Sequence, residues 1–176
     1  MKKILILGSC GAGKSTLAKR LHKLLDIPII HLDEHYWKPN WTRPERDEWQ
    51  EKVANLVKGE KWIMDGNYRS SLDIRLPQAD TVILLDFPPS VCFYRLLKRR
   101  LKKDRADKIA GCKERINFEL LKWVLWTFPR INRKEIGKKI ESVKKQKEIF
   151  ILKSNEDVEL FLLNKLNDCR DQIGTN

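Results

Sequence analysis

The junction that most constrains this chain lies near its start, where Ile4-Leu5-Ile6-Leu7 runs straight into Gly8-Ser9-Cys10-Gly11-Ala12-Gly13-Lys14-Ser15. The apolar run is too short for a helix and stops at a glycine, so it reads as a buried strand. The octet that follows satisfies G-x-x-x-x-G-K-[ST] in the strand, loop, helix setting that the pattern requires. Its glycines let successive backbone N–H groups turn inward around one anion, and the helix opening at Lys14 adds the partial positive charge of its N-terminus. Lys14 then reaches the β and γ phosphates of a nucleotide, and the Ser15 hydroxyl is placed for magnesium. ATP and Mg2+ are the expected cofactors. The expected contacts are Gly8, Gly11, Ala12, Gly13, Lys14, Ser15 and Thr16, although Thr16 and Leu17 need no role beyond beginning the helix.

Strand-like runs alternate with amphipathic segments along the rest of the chain, which predicts an α/β fold with helices on both faces of a parallel sheet. Strands are expected near 2–7, 27–32, 61–65, 80–86 and 148–152, and helices near 14–25, 44–58, 89–101, 115–128, 131–146 and 155–168. At 176 residues and 41% hydrophobic content, with no Gly/Ser linker or repeat, a single domain over 1–176 is expected. Between Lys98 and Arg115 charge crowds around Gly111 without an apolar period, and the stretch at about 101–115 reads as a surface lid.

Two further segments narrow the class. Trp62-Ile63-Met64-Asp65-Gly66-Asn67-Tyr68-Arg69, then Leu76-Pro77-Gln78-Ala79-Asp80 and Leu84-Leu85-Asp86-Phe87-Pro88, resemble the adenylate kinase segment in which one strand ends in Asp-Gly-Phe-Pro-Arg and a later one in Asp-x-Pro. Arg95-Leu96-Leu97-Lys98-Arg99-Arg100 is similar to the helix leading into the lid of those kinases. Within that superfamily, His31-Leu32-Asp33 with Trp37-Lys38-Pro39 and Trp41, Asp65-Gly66-Asn67-Tyr68, and Gly111-Cys112 with Glu114-Arg115 resemble the bacterial proteins labelled DNA topology modulation proteins. The resemblance implies a three-layer P-loop fold with a five-stranded parallel sheet in the order 2-3-1-4-5, and transfer of the ATP γ-phosphoryl group to a small acceptor. The acceptor is left open, a nucleoside or nucleotide being one candidate, and about 33–60 is the expected acceptor-binding region. Asn67 and Tyr68 depart from the adenylate kinase Phe-Pro, which leaves AMP in question.

Asp65 ends a strand expected beside the glycine-loop strand, where a carboxylate holds magnesium through water. Asp86 ends the other neighbour, and a structural carboxylate is as good a reading of it as a catalytic one. Arg95 and Arg99 share a helix face at i, i+4; the resemblance makes them phosphate clamps, with Arg69, Arg75 and Arg105 as further candidates. Asp33 follows the second strand and is the expected acceptor base, ahead of Glu34. Trp37, Trp41 and Trp49 suit either a ring-stacking platform or a satellite core. His31 and His35 flank Asp33 without a third soft ligand, so a metal site there is not expected. Phe118, Leu121, Trp123, Leu125, Trp126 and Phe128 read as core. Lys153-Ser154-Asn155 follows the last strand, where the resembling kinases lay adenine against the backbone.

The net charge of +12 is local, since residues 95–153 hold 20 Lys/Arg against 7 Asp/Glu. Such a segment suits polyanions, so a nucleic-acid-binding protein in which ATP is regulatory stands as the alternative. Lys2 and Lys3 precede only four apolar residues, too few for a secretory signal, and no segment is long enough to span a bilayer. Four scattered cysteines without a C-x-x-C pair fit a reducing, cytoplasmic setting.

Overall fold

The computed structural model describes residues 1–101 and 118–174. Most of the expected lid, with Arg105, Gly111, Cys112, Glu114 and Arg115, lies outside the described residues.

Five strands, β1 (Lys3–Gly8), β2 (Ile29–His31), β3 (Trp62–Asp65), β4 (Thr81–Leu85) and β5 (Glu148–Leu152), form one parallel sheet in the order β2-β3-β1-β4-β5. β1 is central, and side chains alternate across a strand, so its residues feed two separate cores. Ile4 and Ile6 pack with α1 (Lys14–Leu25), α5 (Pro89–Leu101) and α8 (Asn155–Gly174). Leu5 and Leu7 face α3 (Arg46–Leu56) and α4 (Leu72–Gln78) on the other side. The strand expectations hold to within two residues, and α1 and α5 begin and end as expected.

Two parts of the helical reading change. A short α2 (Leu32–Tyr36) and α4 were not expected; α4 is only seven residues long and contains Pro77, so buried Leu72 and Leu76 with half-buried Ile74 are its whole apolar signal. The helices expected at 115–128 and 131–146 are one continuous rod: α6 (Phe118–Lys122), a π-helical run (Trp123–Asn132) and α7 (Arg133–Val143). Lys122, Asn132 and Arg133 all keep right-handed helical φ/ψ, so nothing breaks it despite Pro129.

The rod's buried residues, Val124, Phe128, Asn132, Ile136 and Ile140, recur every four positions. A pure α-helix rotates such a row by about 40° at each step and carries it off the core. The wider π turn winds it back. Leu125 and Trp126 consequently point to solvent, which corrects their assignment to the core, and the Arg130 guanidinium stacks 3.4 Å from the Trp126 ring centre. Val124 belongs to the first core and Phe128 to the second, so the rod crosses from one face of the sheet to the other.

Candidate active site

The parallel register sets Asp65 beside Ile6 of β1 and His31 of β2, so the loops after β1, β2 and β3 open at one carboxyl edge. The glycine loop is seated against α5. A Cβ on Gly11, at φ 81°, would lie 2.3 Å from the Cys92 carbonyl oxygen, which leaves glycine alone able to sit there. The first turn of α1 presents N–H groups that have no intrahelical acceptor. Lys14 curls over the loop, its Nζ donating to the carbonyls of Gly8 at 3.0 Å and Ser9 at 3.1 Å. Arg95 is held beside the loop by three contacts: it donates to the Ala12 carbonyl at 3.1 Å and to Asn155 Oδ1 at 2.6 Å, and lies 4.3 Å over the Phe87 ring.

Asp65 is buried. Its Oδ1 lies 2.9 Å from His31 Nδ1, whereas its Oδ2 is sealed from solvent with no hydrogen-bond partner. An orphaned carboxylate oxygen in such a place costs stability unless a cation or its water fills it. That oxygen fits a hard cation such as magnesium, which takes one or two protein oxygens and completes its shell with water and phosphate. Among the described residues no group of three or more His, Cys, Asp and Glu is placed to hold a metal.

The turn after β3 binds the two sides together. Gly66, at φ 134°, lets the chain pass Leu32, whose Cβ a side chain there would meet at 2.9 Å. Asn67 pairs with Gly8 in both directions: its Oδ1 accepts the Gly8 N–H at 3.0 Å and its Nδ2 donates to the Gly8 carbonyl at 2.5 Å. Tyr68 donates its hydroxyl to Asp33 Oδ1 at 2.6 Å, and burial together with that carboxylate pushes the phenol far up, so it stays a donor. Arg75 is fully buried and donates to the carbonyls of Gly66 at 3.0 Å, Asn67 at 3.3 Å and Tyr68 at 3.0 Å. Burial pulls its guanidinium down to about 9, still charged at neutral pH. Arg75 is thus no phosphate clamp: it is shut away from solvent, its Nη1 and Nη2 go to backbone carbonyls, and its buried Nε has no partner.

Other sequence candidates separate in the same way. Arg69 reaches Asn132 Oδ1 and pairs with Glu135, turning to the helical rod. Asp86 pairs with Arg133 at 2.6 Å, which favours the structural reading of that acid. Trp49 is core, within 4.9 Å of Tyr36 and 5.1 Å of Tyr68 between ring centres, while Trp37 and Trp41 form a half-buried edge-to-face pair at 5.2 Å. Burial pushes the Cys10 thiol up, with Asp33 adding to the rise and Lys14 and Arg99 opposing it. At 153–155, Asp157 Oδ2 accepts the N–H groups of Lys153 at 2.7 Å and Ser154 at 3.1 Å, and Ser154 Oγ accepts that of Asp157, a reciprocal cap that fixes this turn. Asn67, His31 and Asn155 enter the sequence reading only inside longer motifs, and nothing in sequence assigns Asn67 to Gly8, His31 to Asp65 or Asn155 to Arg95.

A parallel sheet in this order, with a glycine loop between its central strand and α1, is the fold of the P-loop kinases. Residues 4–118 match the family model described as AAA domain, and the chain belongs to that family. The "Uncharacterized protein YqaC" of Bacillus subtilis (strain 168) is 33% identical over 114 residues, which span 62% of this chain and 63% of that protein's length. Among solved structures the fold is shared with deoxyadenosine kinase from M. mycoides with bound dATP, at TM-score 0.51 and 21% identity over 95% of this chain and all of that one. Shikimate kinase from Acinetobacter baumannii in complex with shikimate matches at TM-score 0.54 and 14% identity, over 98% of this chain and 94% of that one. No helix among the described residues is long and apolar enough to cross a membrane.

Proposed function

We propose that this protein is an ATP- and magnesium-dependent kinase of a small hydroxyl-bearing acceptor, with nucleosides and nucleotides the first candidates. One observation carries the reading: Asp65, with its unpartnered buried oxygen, ends the strand that lies between the glycine-loop strand and the one leading to Asp33. A nucleotide loop, a magnesium ligand and an acceptor carboxylate are thereby ranged along one edge of the sheet. Magnesium, held by Ser15 and Asp65, would neutralise phosphate charge.

In this reading Gly11, Gly13, Ser15 and Thr16 offer backbone N–H groups to the phosphates, Gly8 and Ala12 shape the loop with their own N–H groups on Asn67 and Ser9, and Lys14 moves from the loop carbonyls to the β and γ phosphates. Arg95 and Arg99 supply fixed positive charge where the transition state spreads its negative charge. The acceptor hydroxyl oxygen forms the new bond to the γ-phosphorus, the bond from that phosphorus to the β–γ bridging oxygen breaks, and ADP leaves. Asp33 takes the hydroxyl proton on Oδ2, its Oδ1 being held by Tyr68. A reducing cytoplasm is the setting we propose.

The test is to incubate the protein with γ-labelled ATP, magnesium and a panel of nucleosides, nucleotides, sugars and DNA 5′ ends. Label on one small acceptor supports the kinase; label only in free phosphate, or nowhere, removes it. The charge of residues 95–153 and the likeness to DNA topology modulation proteins favour a second reading, nucleic-acid binding regulated by ATP. Affinity for DNA that collapses steeply as salt rises, without transfer to any acceptor, would select it.

A further inference from the structure

We propose that Asn67 is a positioning residue that couples the nucleotide loop to the acceptor carboxylate, so that filling one half of the site fixes the other; this rests on the kinase reading above. Asn67 engages both polar groups of a single loop residue, and only one orientation of its amide can do so, with the oxygen on the Gly8 N–H and the nitrogen on the Gly8 carbonyl. That carbonyl also receives Lys14 Nζ at 3.0 Å. The side chain therefore holds the oxygen on which the catalytic lysine rests.

The next residue reaches the opposite way. Tyr68 donates to Asp33 Oδ1 at 2.6 Å, so two adjacent residues span from the glycine loop to the acceptor acid. They cannot flex independently, because fully buried Arg75 ties down the carbonyls of Gly66, Asn67 and Tyr68. When Lys14 leaves the Gly8 carbonyl for a phosphate, Asn67 becomes the main restraint on that peptide, and any shift in it passes through a rigid turn to Asp33. Coupling of this kind is reciprocal, so an ordered acceptor side also favours nucleotide.

The probe is ADP with magnesium, followed by calorimetry, thermal melting and amide hydrogen exchange on the wild type, Asn67→Asp and Asn67→Ala. Asn67→Asp keeps the shape but sets a carboxylate oxygen against the Gly8 carbonyl. We expect wild-type protein to slow exchange on adding ADP both in the loop at 8–16 and at 32–37 around Asp33. Both variants should bind ADP about tenfold more weakly, as for loss of one buried hydrogen-bonded pair, and at saturating ADP should protect the loop while leaving 32–37 unchanged. Variants that melt lower yet bind ADP normally and still transmit protection to 32–37 would mark Asn67 as structural only and overturn the proposal. Wild-type binding with no response at 32–37 overturns it too. Failure of the wild type to bind ADP would instead remove the kinase reading beneath it.

Discussion

The two halves of the candidate site are made by different means. On the nucleotide side the working parts are backbone: glycines at positive φ, helix N–H groups and one lysine at a fixed spacing. Across β3, on the proposed acceptor side, they are side chains, with Asp33 held by Tyr68, whose ring packs in an aromatic group with Tyr36 and Trp49 that Trp37 and Trp41 extend. Backbone geometry depends on a few residue types in strict order, whereas an aromatic cluster tolerates many combinations. In the proposed function, the half that would bind a common cosubstrate can therefore stay fixed while the other is rebuilt for a different acceptor.

Mutations can test how separate the halves are. Lys14→Ala should have the largest effect, lowering transfer by a factor of roughly a thousand or more and weakening ATP binding, read by label transfer and calorimetry. Asp33→Asn should cost about a hundredfold in transfer and leave the ATP dissociation constant unchanged; equal damage to both would end the division drawn here. Arg75→Met removes a buried cation whose donors satisfy three carbonyls and should destabilise the fold by about 3 kcal/mol in denaturant unfolding. That loss would show how much of the acceptor side's order comes from one side chain.

Asp80→Asn, at the far end of the sheet, is the control and should have the smallest effect, about 1 kcal/mol with no change in ATP affinity. Burial would raise its carboxyl, but donors from Thr81, Lys3 and Lys2 outweigh that and hold it below the usual range. A depressed carboxyl stabilises above its ordinary pKa of about 3.9, and that stability is lost as pH falls through the folded value. The difference between wild type and variant in denaturant midpoint should therefore close in acid and be complete near neutrality.

Sequence carried the nucleotide side and the sheet almost whole, because Gly8 to Ser15 and the alternating apolar runs depend on local order. Arg75 shows where it fell short. As a letter it was one more arginine near phosphate, and only its complete burial against three carbonyls reveals a structural clamp. Asn67 looked like a departure from a pattern, yet its partner stands 59 residues away in sequence. Trp126 was read as core because its spacing was measured against an α-helical period, and the local turn is wider.

That wider turn has a consequence for how the chain can vary. Loss of a single codon within 123–132, with the winding of the remaining residues kept, would swing everything downstream by one residue's rotation, about 100° in an α-helix. Arg133 would be carried away from Asp86, Glu135 from Arg69 and Lys139 from Asp73, three pairings undone by one deletion that touches none of them. The stretch can accept many substitutions, but its length is fixed by the distant partners it keeps in phase.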